Sequence, residues 1–377
     1  MTNFLFISLN DHVSWGGSEV LWSKTALQLS ENNNVSVLVK KWNVEPAPIT
    51  HLREKGVSVF CKDNFQLSSY QRIKNKIFRT HHKRKHHLEQ VVIENMDLVV
   101  ISMGHHLDSK LFYYTDYLKR FKKPFAIVFQ LVTAYVDLND HLRERFKKTY
   151  KEAERLYFLS KDNIGISEAQ MATYFENKVL INNPFDMKTE YLSMEIKTKD
   201  RFYLGCVAAL NSFHKGQDIL LKVLSSKKWK ERPLFLNLYG NGGNKKQIQE
   251  LIDLYGLENQ VFVRGYVGEK KEIWKQNHGL ILPSRMEGQS LAMLQAMSFG
   301  RMIISTKVGD ARRLVLDNET GFLIEALTES LLDEALERAW GRREEWMEFG
   351  RKSRTHLFNC IKNSPIDYFA DKLLNLV

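Results

Sequence analysis

Residues 279–306, GLILPSRMEGQSLAMLQAMSFGRMIIST, decide the architecture. An apolar run from Gly279 to Ser284 passes through a polar turn into a helix-period segment ending near Phe299, and a second aliphatic run follows from Arg301 to Thr306. Strand, helix and strand in succession are the unit of parallel α/β architecture. Within the turn, Gly288 lets backbone come close to a ligand, and the free N–H groups at the helix start attract a phosphate or a similar anion. Glu287 and Gln295 stand eight positions apart, about 12 Å of rise on a helix. Two readings of that pair stand: contacts to opposite ends of one elongated ligand, or a helix-capping glutamate with a polar core glutamine.

The same alternation extends outward in both directions. Toward the N-terminus, FLFISL (4–9), VSVLVK (35–40), VSVF (57–60), DLVVIS (97–102), PFAIVFQLV (124–132), RLYFLS (155–160) and KVLIN (178–182) read as strands separated by amphipathic segments. Turn residues Asn182-Asn183-Pro184 and an aperiodic polar stretch to Arg201 read as a linker. The pattern restarts with FYLGCVAAL (202–210), LFLNLYG (234–240), VFVRGYV (261–267), the quoted stretch and GFLI (321–324), and ends in helical segments. We expect two doubly wound units, residues 1–185 and 186–360, with a final helix in 361–377 packing back on the first. In such sheets ligands bind beyond the carboxyl ends of the strands, so the cleft between two such edges is the expected site.

Composition narrows the class. The chain has 377 residues, 44% hydrophobic and 26% charged, with 20 glycines and 7 prolines, which excludes collagen-like and largely disordered readings. No apolar run approaches the roughly 20 residues of a membrane span, and the first ten residues lack a basic n-region, so no signal peptide is expected. Three scattered cysteines, Cys61, Cys206 and Cys360, suit a reducing, cytoplasmic compartment and match no metal-ligand spacing. The net charge is +11, and Arg72 to His87 holds seven Lys/Arg, four histidines and no acid, with Ile73, Ile77 and Phe78 interleaved. Such a run is a solvated face, a contact for an anionic membrane surface, or a grip on nucleic acid. No nucleic-acid module accompanies it, so no nucleic-acid partner is expected. Phe112, Tyr113, Tyr114 and Tyr117, at helical spacing, read as packing residues.

The run LPSRMEGQSLAMLQAMSFGRMIISTKVGDARRLVLDNETGF (282–322) resembles the hallmark segment of family 4 (group 1) retaining glycosyltransferases. Gly16-Gly17-Ser18-Glu19, His214-Lys215-Gly216-Gln217-Asp218, Leu238-Tyr239-Gly240-Asn241-Gly242, Arg264-Gly265-Tyr266-Val267 and Ile273-Trp274 match in the family's order, so the resemblance spans essentially the whole chain. It implies the GT-B fold, two Rossmann-like domains facing each other across a cleft. It also implies transfer of a sugar, with retention, from a nucleotide-diphosphate sugar to a glycan or lipid-linked acceptor in surface-polysaccharide or glycolipid synthesis. The nucleotide sugar is a substrate, no cofactor is expected, and the lack of a DxD triplet agrees with a family that works without an essential metal.

The resemblance also distributes roles. Lys215 would face the donor diphosphate, where a compact cation neutralises charge growing on the leaving group. Amides around Gly16 and Gly17 and from Gly288 through Gln289 and Ser290 to Leu291 would cradle phosphate, with Gly240 on the donor side as well. Tyr266 and Val267 would pack on the base, Glu287 would contact sugar hydroxyls, and Gln295 stands where the family usually has a ribose-binding glutamate. Acceptor-side candidates are Trp15, Ser102, Gly104, His105, His106, Gln130 and Thr133. His105 is the first choice to bond a donor hydroxyl or orient the acceptor, although a histidine pair also suits a helix start. Three positions depart from the pattern: Ala209 replaces an arginine, Gln295 and Arg313 replace glutamates. Arg285, Arg312 and Arg313 are candidates to restore the missing charge. The alternative function is a catalytically weak GT-B subunit that binds nucleotide sugar or glycan and supports a partner enzyme. The basic run would place the protein on the inner face of the plasma membrane.

Overall fold

The computed structural model describes residues 1–62, 92–134, 136–192 and 200–377. The basic run Arg72–His87, with its histidine pairs, lies outside the described residues. Among those described, no helix is long and apolar enough to cross a membrane.

The chain divides into two units. In the first, β1 (Asn3–Ser8), β2 (Asn34–Lys40), β3 (Ser58–Lys62), β4 (Leu98–Met103), β5 (Phe125–Phe129), β6 (Arg155–Phe158) and β7 (Lys178–Leu180) form a parallel sheet of order β3-β2-β1-β4-β5-β6-β7. In the second, β8 (Phe202–Val207), β9 (Leu234–Tyr239), β10 (Val261–Gly265), β11 (Gly279–Leu282), β12 (Met302–Thr306) and β13 (Gly321–Ile324) pair in parallel as β10-β9-β8-β11-β12-β13. The apolar runs are continuous because both faces of each sheet are covered. In the first sheet Leu5, Ile7, Val99 and Ile101 enter one core, while Phe4, Phe6, Leu98 and Val100 enter another on the opposite face. Leu236, Leu238, Ile281 and Ile304 in the second sheet likewise oppose Leu280, Leu282 and Ile303.

Strand order fixes where function can sit. Each chain walks outward from its first strand and then returns to that strand's other side, so the order reverses between β1 and β4 and between β8 and β11. The loops diverge there and leave a crevice at the strands' carboxyl ends.

Contacts place the division differently from the expected boundary at 185/186. The first unit holds Met1–Leu159, Asn163–Ile181 and Pro365–Val377, and the second holds Ser160–Asp162 and Asn182–Ser364. The reason is local bonding: the Asn183 amide group donates to the Gln289 carbonyl at 2.8 Å, and Phe185 is already in an apolar core of the second unit. At the other end, Ile361 is buried in that same core, so the returning segment begins at Pro365. Its helix, Pro365–Leu374, sets Phe369 edge-on against Tyr157, with ring centroids 5.0 Å apart, and buries Leu373 in the core beneath the helix Gly17–Leu29.

Close approach of backbones holds the second unit's last helices in place. Gly350, in the helix Trp346–Cys360, has no side chain because a Cβ would stand 2.1 Å from the Gly300 carbonyl oxygen. Backbone on both sides leaves nothing flexible to yield, and overpacking of this kind costs about 1–3 kcal/mol. Gly350→Ala is therefore expected to lower the thermal unfolding midpoint by several degrees; an unchanged midpoint in a scanning melt would show that the two helices separate freely.

Candidate active site

In the second unit the site is built where the loops after β8 and β11 meet. After β8, Asn211 caps a short helical turn, Ser212–Lys215, by accepting the His214 N–H at 3.1 Å. Gly216 then takes a left-handed conformation, φ 68°, and a Cβ there would lie 2.0 Å from the Pro283 carbonyl oxygen. Only glycine permits this contact. It brings the Lys215 ammonium to 2.6 Å from Glu287 Oε1, the oxygen that also accepts the Ser284 hydroxyl at 2.8 Å.

The two loops are stitched at several further points. His214 Nε2 donates to the Met286 carbonyl at 2.9 Å, and the Arg285 N–H donates to the His214 carbonyl at 2.9 Å. The Arg285 guanidinium grips Asp218 through two bonds of 3.1 and 3.0 Å. Burial pushes the Glu287 carboxyl up, but Lys215, His214 and the bonds from Lys215 and Ser284 outweigh it and hold the group below the usual carboxylate range. Glu287 is thus an anion that keeps a cation in place. Burial and the neighbouring Lys215 push His214 down, so it stays a neutral donor.

Helix Leu291–Ser298 starts directly after this loop, with the Ser290 hydroxyl accepting the Met293 N–H at 3.3 Å. Its first N–H groups have no partner within the helix. Gln295 lies on it with a side chain that makes no hydrogen bond among the described residues, which favours neither a core role nor a cap for that amide. Gly240, φ 133°, packs the loop after β9 against Ala208, whose carbonyl oxygen would be 2.1 Å from a Cβ. Tyr266 is 71% exposed, with the Lys270 ammonium 5.2 Å from its ring centre, and Val267 packs on the core beside it.

Gln289 has its side chain turned into the protein. It is buried, and its amide donates to Asp310 at 2.6 Å and to Asn182 at 2.9 Å while its oxygen accepts the Asn183 N–H. The Gln289 side chain is thus a brace between this loop and the segment entering the unit, while the expectation at this position concerns its backbone amide. Arg313 completes the brace through Asp310 at 2.6 Å and Asn182 at 2.7 Å. Burial pushes the Asp310 carboxyl up, and Arg313 and Gln289 offset this only in part. Arg285 and Arg313 are therefore committed to Asp218 and Asp310, which leaves Arg312, half exposed and 3.5 Å from Asp162, as the least committed of the three.

In the first unit Gly16 precedes the helix Gly17–Leu29 in an extended conformation, and Asn10 donates to the Ser18 hydroxyl at 3.0 Å beside it. His105 lies at the start of the loop after β4. Its Nδ1 accepts the Leu107 N–H at 3.2 Å, which leaves the proton on Nε2 to donate to the Thr133 hydroxyl at 2.8 Å. Its neighbour does not fit the acceptor role: His106 is fully buried, donates to Gln170 at 2.7 Å, and is pushed by burial down to about 4. Ser102, Gln130 and Thr133 are also buried. Trp15, half-buried, lines a cleft of about 210 Å³ at the ends of β1, β2 and β3. Sequence reasoning missed the other residues of that cleft, although Lys40-Lys41-Trp42 directly after a strand was the available signal. Among the described residues no group of three or more His, Cys, Asp or Glu is arranged to hold a metal ion.

Two parallel-sheet α/β units, each with its loops diverging at a switch point, define the GT-B class. Residues 188–356 match the family described as "Glycosyl transferases group 1". It is 27% identical over 164 residues to the poly(ribitol-phosphate) alpha-N-acetylglucosaminyltransferase of Staphylococcus aureus (strain COL), which covers 43% of this chain and 32% of that protein. It is 22% identical over 204 residues to the poly(glycerol-phosphate) alpha-glucosyltransferase of Bacillus subtilis (strain 168), covering 52% of this chain and 29% of that one. The chain thus spans about a third of the length of these curated relatives. Among solved structures, Anabaena Alr3699/HepE in complex with UDP-glucose superposes with a TM-score of 0.76 at 16% identity, covering 100% of both chains.

The buried histidines make stability depend on pH. Burial pushes His106 and His278 from 6.5 to about 4. Between those values the unfolded chain takes up protons that the folded chain refuses, so stability is complete above pH 6.5 and falls as pH drops toward 4, by up to ~3 kcal/mol per group. Melts at pH 7 and pH 4.5 are expected to show a clearly lower midpoint at the acid value, and equal midpoints would mean that both imidazoles protonate in the folded state.

Proposed function

We propose that this chain transfers a sugar, with retention at the anomeric carbon, from a nucleotide-diphosphate sugar to a glycan or glycolipid acceptor in surface-polysaccharide synthesis. The observation that carries the reading is the Lys215–Glu287 pair, 2.6 Å apart beside the start of helix Leu291–Ser298. As the glycosidic bond breaks, negative charge grows on the leaving diphosphate. A fixed ammonium and the helix-start amides are set to receive it without reorganisation, the arrangement worth most in a transition state. Glu287 holds Lys215 and meets sugar hydroxyls, and Gln295, with its amide unspent, takes the ribose. Tyr266 and Val267 lie against the base. On the acceptor side His105 acts by exchanging its Thr133 partner for a ligand hydroxyl.

In this reading no covalent nucleophile is needed, because the departing phosphate takes the acceptor's proton on the same face. Cationic side chains and amides neutralise the diphosphate, so no metal is assigned to the reaction. The relatives' names, with poly(ribitol-phosphate) and poly(glycerol-phosphate) in them, support a polymeric acceptor, and HepE's complex supports a nucleotide-sugar donor. The reading places the chain in the cytoplasm, with Arg72–His87 held to an anionic membrane.

Ala209, exposed where the resemblance expects an arginine, favours a second reading, a weak subunit that binds but does not turn over. Incubating the purified chain with a panel of nucleotide sugars and glycan acceptors, and following nucleotide release, separates the two. We expect turnover with at least one donor, reduced about 100-fold or more by Lys215→Ala and by Glu287→Ala, with folding checked by melting. Gln295→Glu is expected to keep or raise activity. Binding without release across the whole panel would favour the second reading, and undiminished turnover in Lys215→Ala would remove that residue from the chemistry.

A further inference from the structure

The cleft in the first unit has a pattern of hydrogen-bonding capacity that the donor site does not explain. Ser8 ends β1 and Asn10 follows it, Lys40 ends β2 and Lys41 follows it, and the helix Ala47–Glu54 brings Arg53 to its rim. Its two carboxylates are paired. Glu19 takes the Trp22 indole N–H at 2.9 Å and the Ser18 hydroxyl at 3.1 Å, and Glu45 takes the Thr50 hydroxyl at 3.2 Å and the Arg53 guanidinium at 3.3 Å.

Its donors are not. The Lys41 ammonium, the Ser14 hydroxyl and the indole N–H groups of Trp15 and Trp42 have no hydrogen-bond partner among the described residues, and all four residues line the cleft. Lys40 holds one wall: its ammonium donates to the Asp11 carbonyl at 2.8 Å and lies 4.1 Å from the centre of the Trp42 ring. Trp15 is fixed against Trp22, with ring centroids 6.2 Å apart. Three cations therefore face one paired carboxylate, Glu45, and one buried carboxyl, Glu19, that burial pushes up toward its neutral form.

A cavity with unpartnered donors, paired carboxylates, a cationic balance and two indoles selects a ligand with anionic oxygens on a carbon framework. A neutral glycan would leave Lys41 unmatched, and a bare inorganic anion would leave the indoles unused. We infer that this cleft binds the acceptor through an anionic group, a phosphate or carboxylate carried on a saccharide or polyol, with Lys41 and Arg53 meeting the charge and Trp15 and Trp42 meeting the carbon face. The inference rests on the glycosyl-transfer reading only in naming that ligand the acceptor.

The two indoles report occupancy. The full chain, with UDP added at saturation, is titrated with glucose 1-phosphate, glucuronate, glucose and inorganic phosphate while tryptophan fluorescence is followed, and Trp15→Phe and Trp42→Phe assign the signal. We expect a saturable change with glucose 1-phosphate or glucuronate at least tenfold tighter than with glucose or phosphate, lost from the Trp variants and weakened at least tenfold in Lys41→Ala/Arg53→Ala. A response to glucose 1-phosphate alone identifies phosphate as the group read, and one to glucuronate alone identifies carboxylate. Equal affinity for glucose, indifference to the Lys41/Arg53 change, or no saturable response overturns the proposal. A thermal shift with UDP is measured on the same wild-type sample. A shift without any fluorescence response defeats the cleft alone, whereas the absence of both defeats the donor reading too.

Discussion

The contact of Gly216 with the Pro283 carbonyl is the constraint on which the candidate site of the second unit depends. Two strand-end loops approach until a single methyl group would fit nowhere, and that distance brings the Lys215 ammonium onto Glu287. Neither charge is stable alone in so enclosed a place, since burying an unpaired ion costs several kcal/mol. Together, with the Ser284 hydroxyl donating to Glu287 and His214 tying down the adjacent Met286 carbonyl, they form a preset cation at a helix start. The apolar sheet beneath supplies rigidity: β11 and β12 are buried along their whole lengths, so the loops they launch have little freedom to drift.

Departures from the family pattern acquire a physical meaning in this setting. Arg313 replaces a glutamate, and it is bonded to Asp310 and Asn182 in a buried network that also contains Gln289. That network ties the ligand loop to the point where the chain enters the second unit. A charge that seemed free to meet a diphosphate is instead consumed in holding the loop. Arg301 shows the same economy in the core: fully buried, it donates to the carbonyls of Trp274 and Leu192, at 2.8 and 2.9 Å, and locks the turn before β12 against its neighbours.

The first unit uses buried polarity in a similar way. Lys62, almost completely enclosed at the end of β3, reaches Asp11 at 2.7 Å, and Lys110 reaches the other oxygen of the same carboxylate at 2.7 Å. The loop after β1 is thereby pinned between two lysines from distant parts of the sequence. Burial pushes the Lys62 ammonium down, and Asp11 limits the shift. Pinning that loop also sets Trp15 and the edge of the cationic cleft.

Strand runs, their alternation with helix-period segments and the two-unit organisation were legible in the sequence, because both faces of a parallel sheet must be apolar and that requirement is written residue by residue. Glu287 and the glycine of the turn before helix Leu291–Ser298 were legible as a candidate anion site, whereas Lys215 was reached only through the family resemblance. What the sequence left open was which polar residues are spent. Gln289 and His106 have the same letters whether they face a ligand or a buried partner, and their partners, Asp310, Asn182 and Gln170, come from separate stretches of chain. Only tertiary structure decides that, because hydrogen bonds are satisfied by proximity in space, whereas strand and helix are specified by periodicity along the chain.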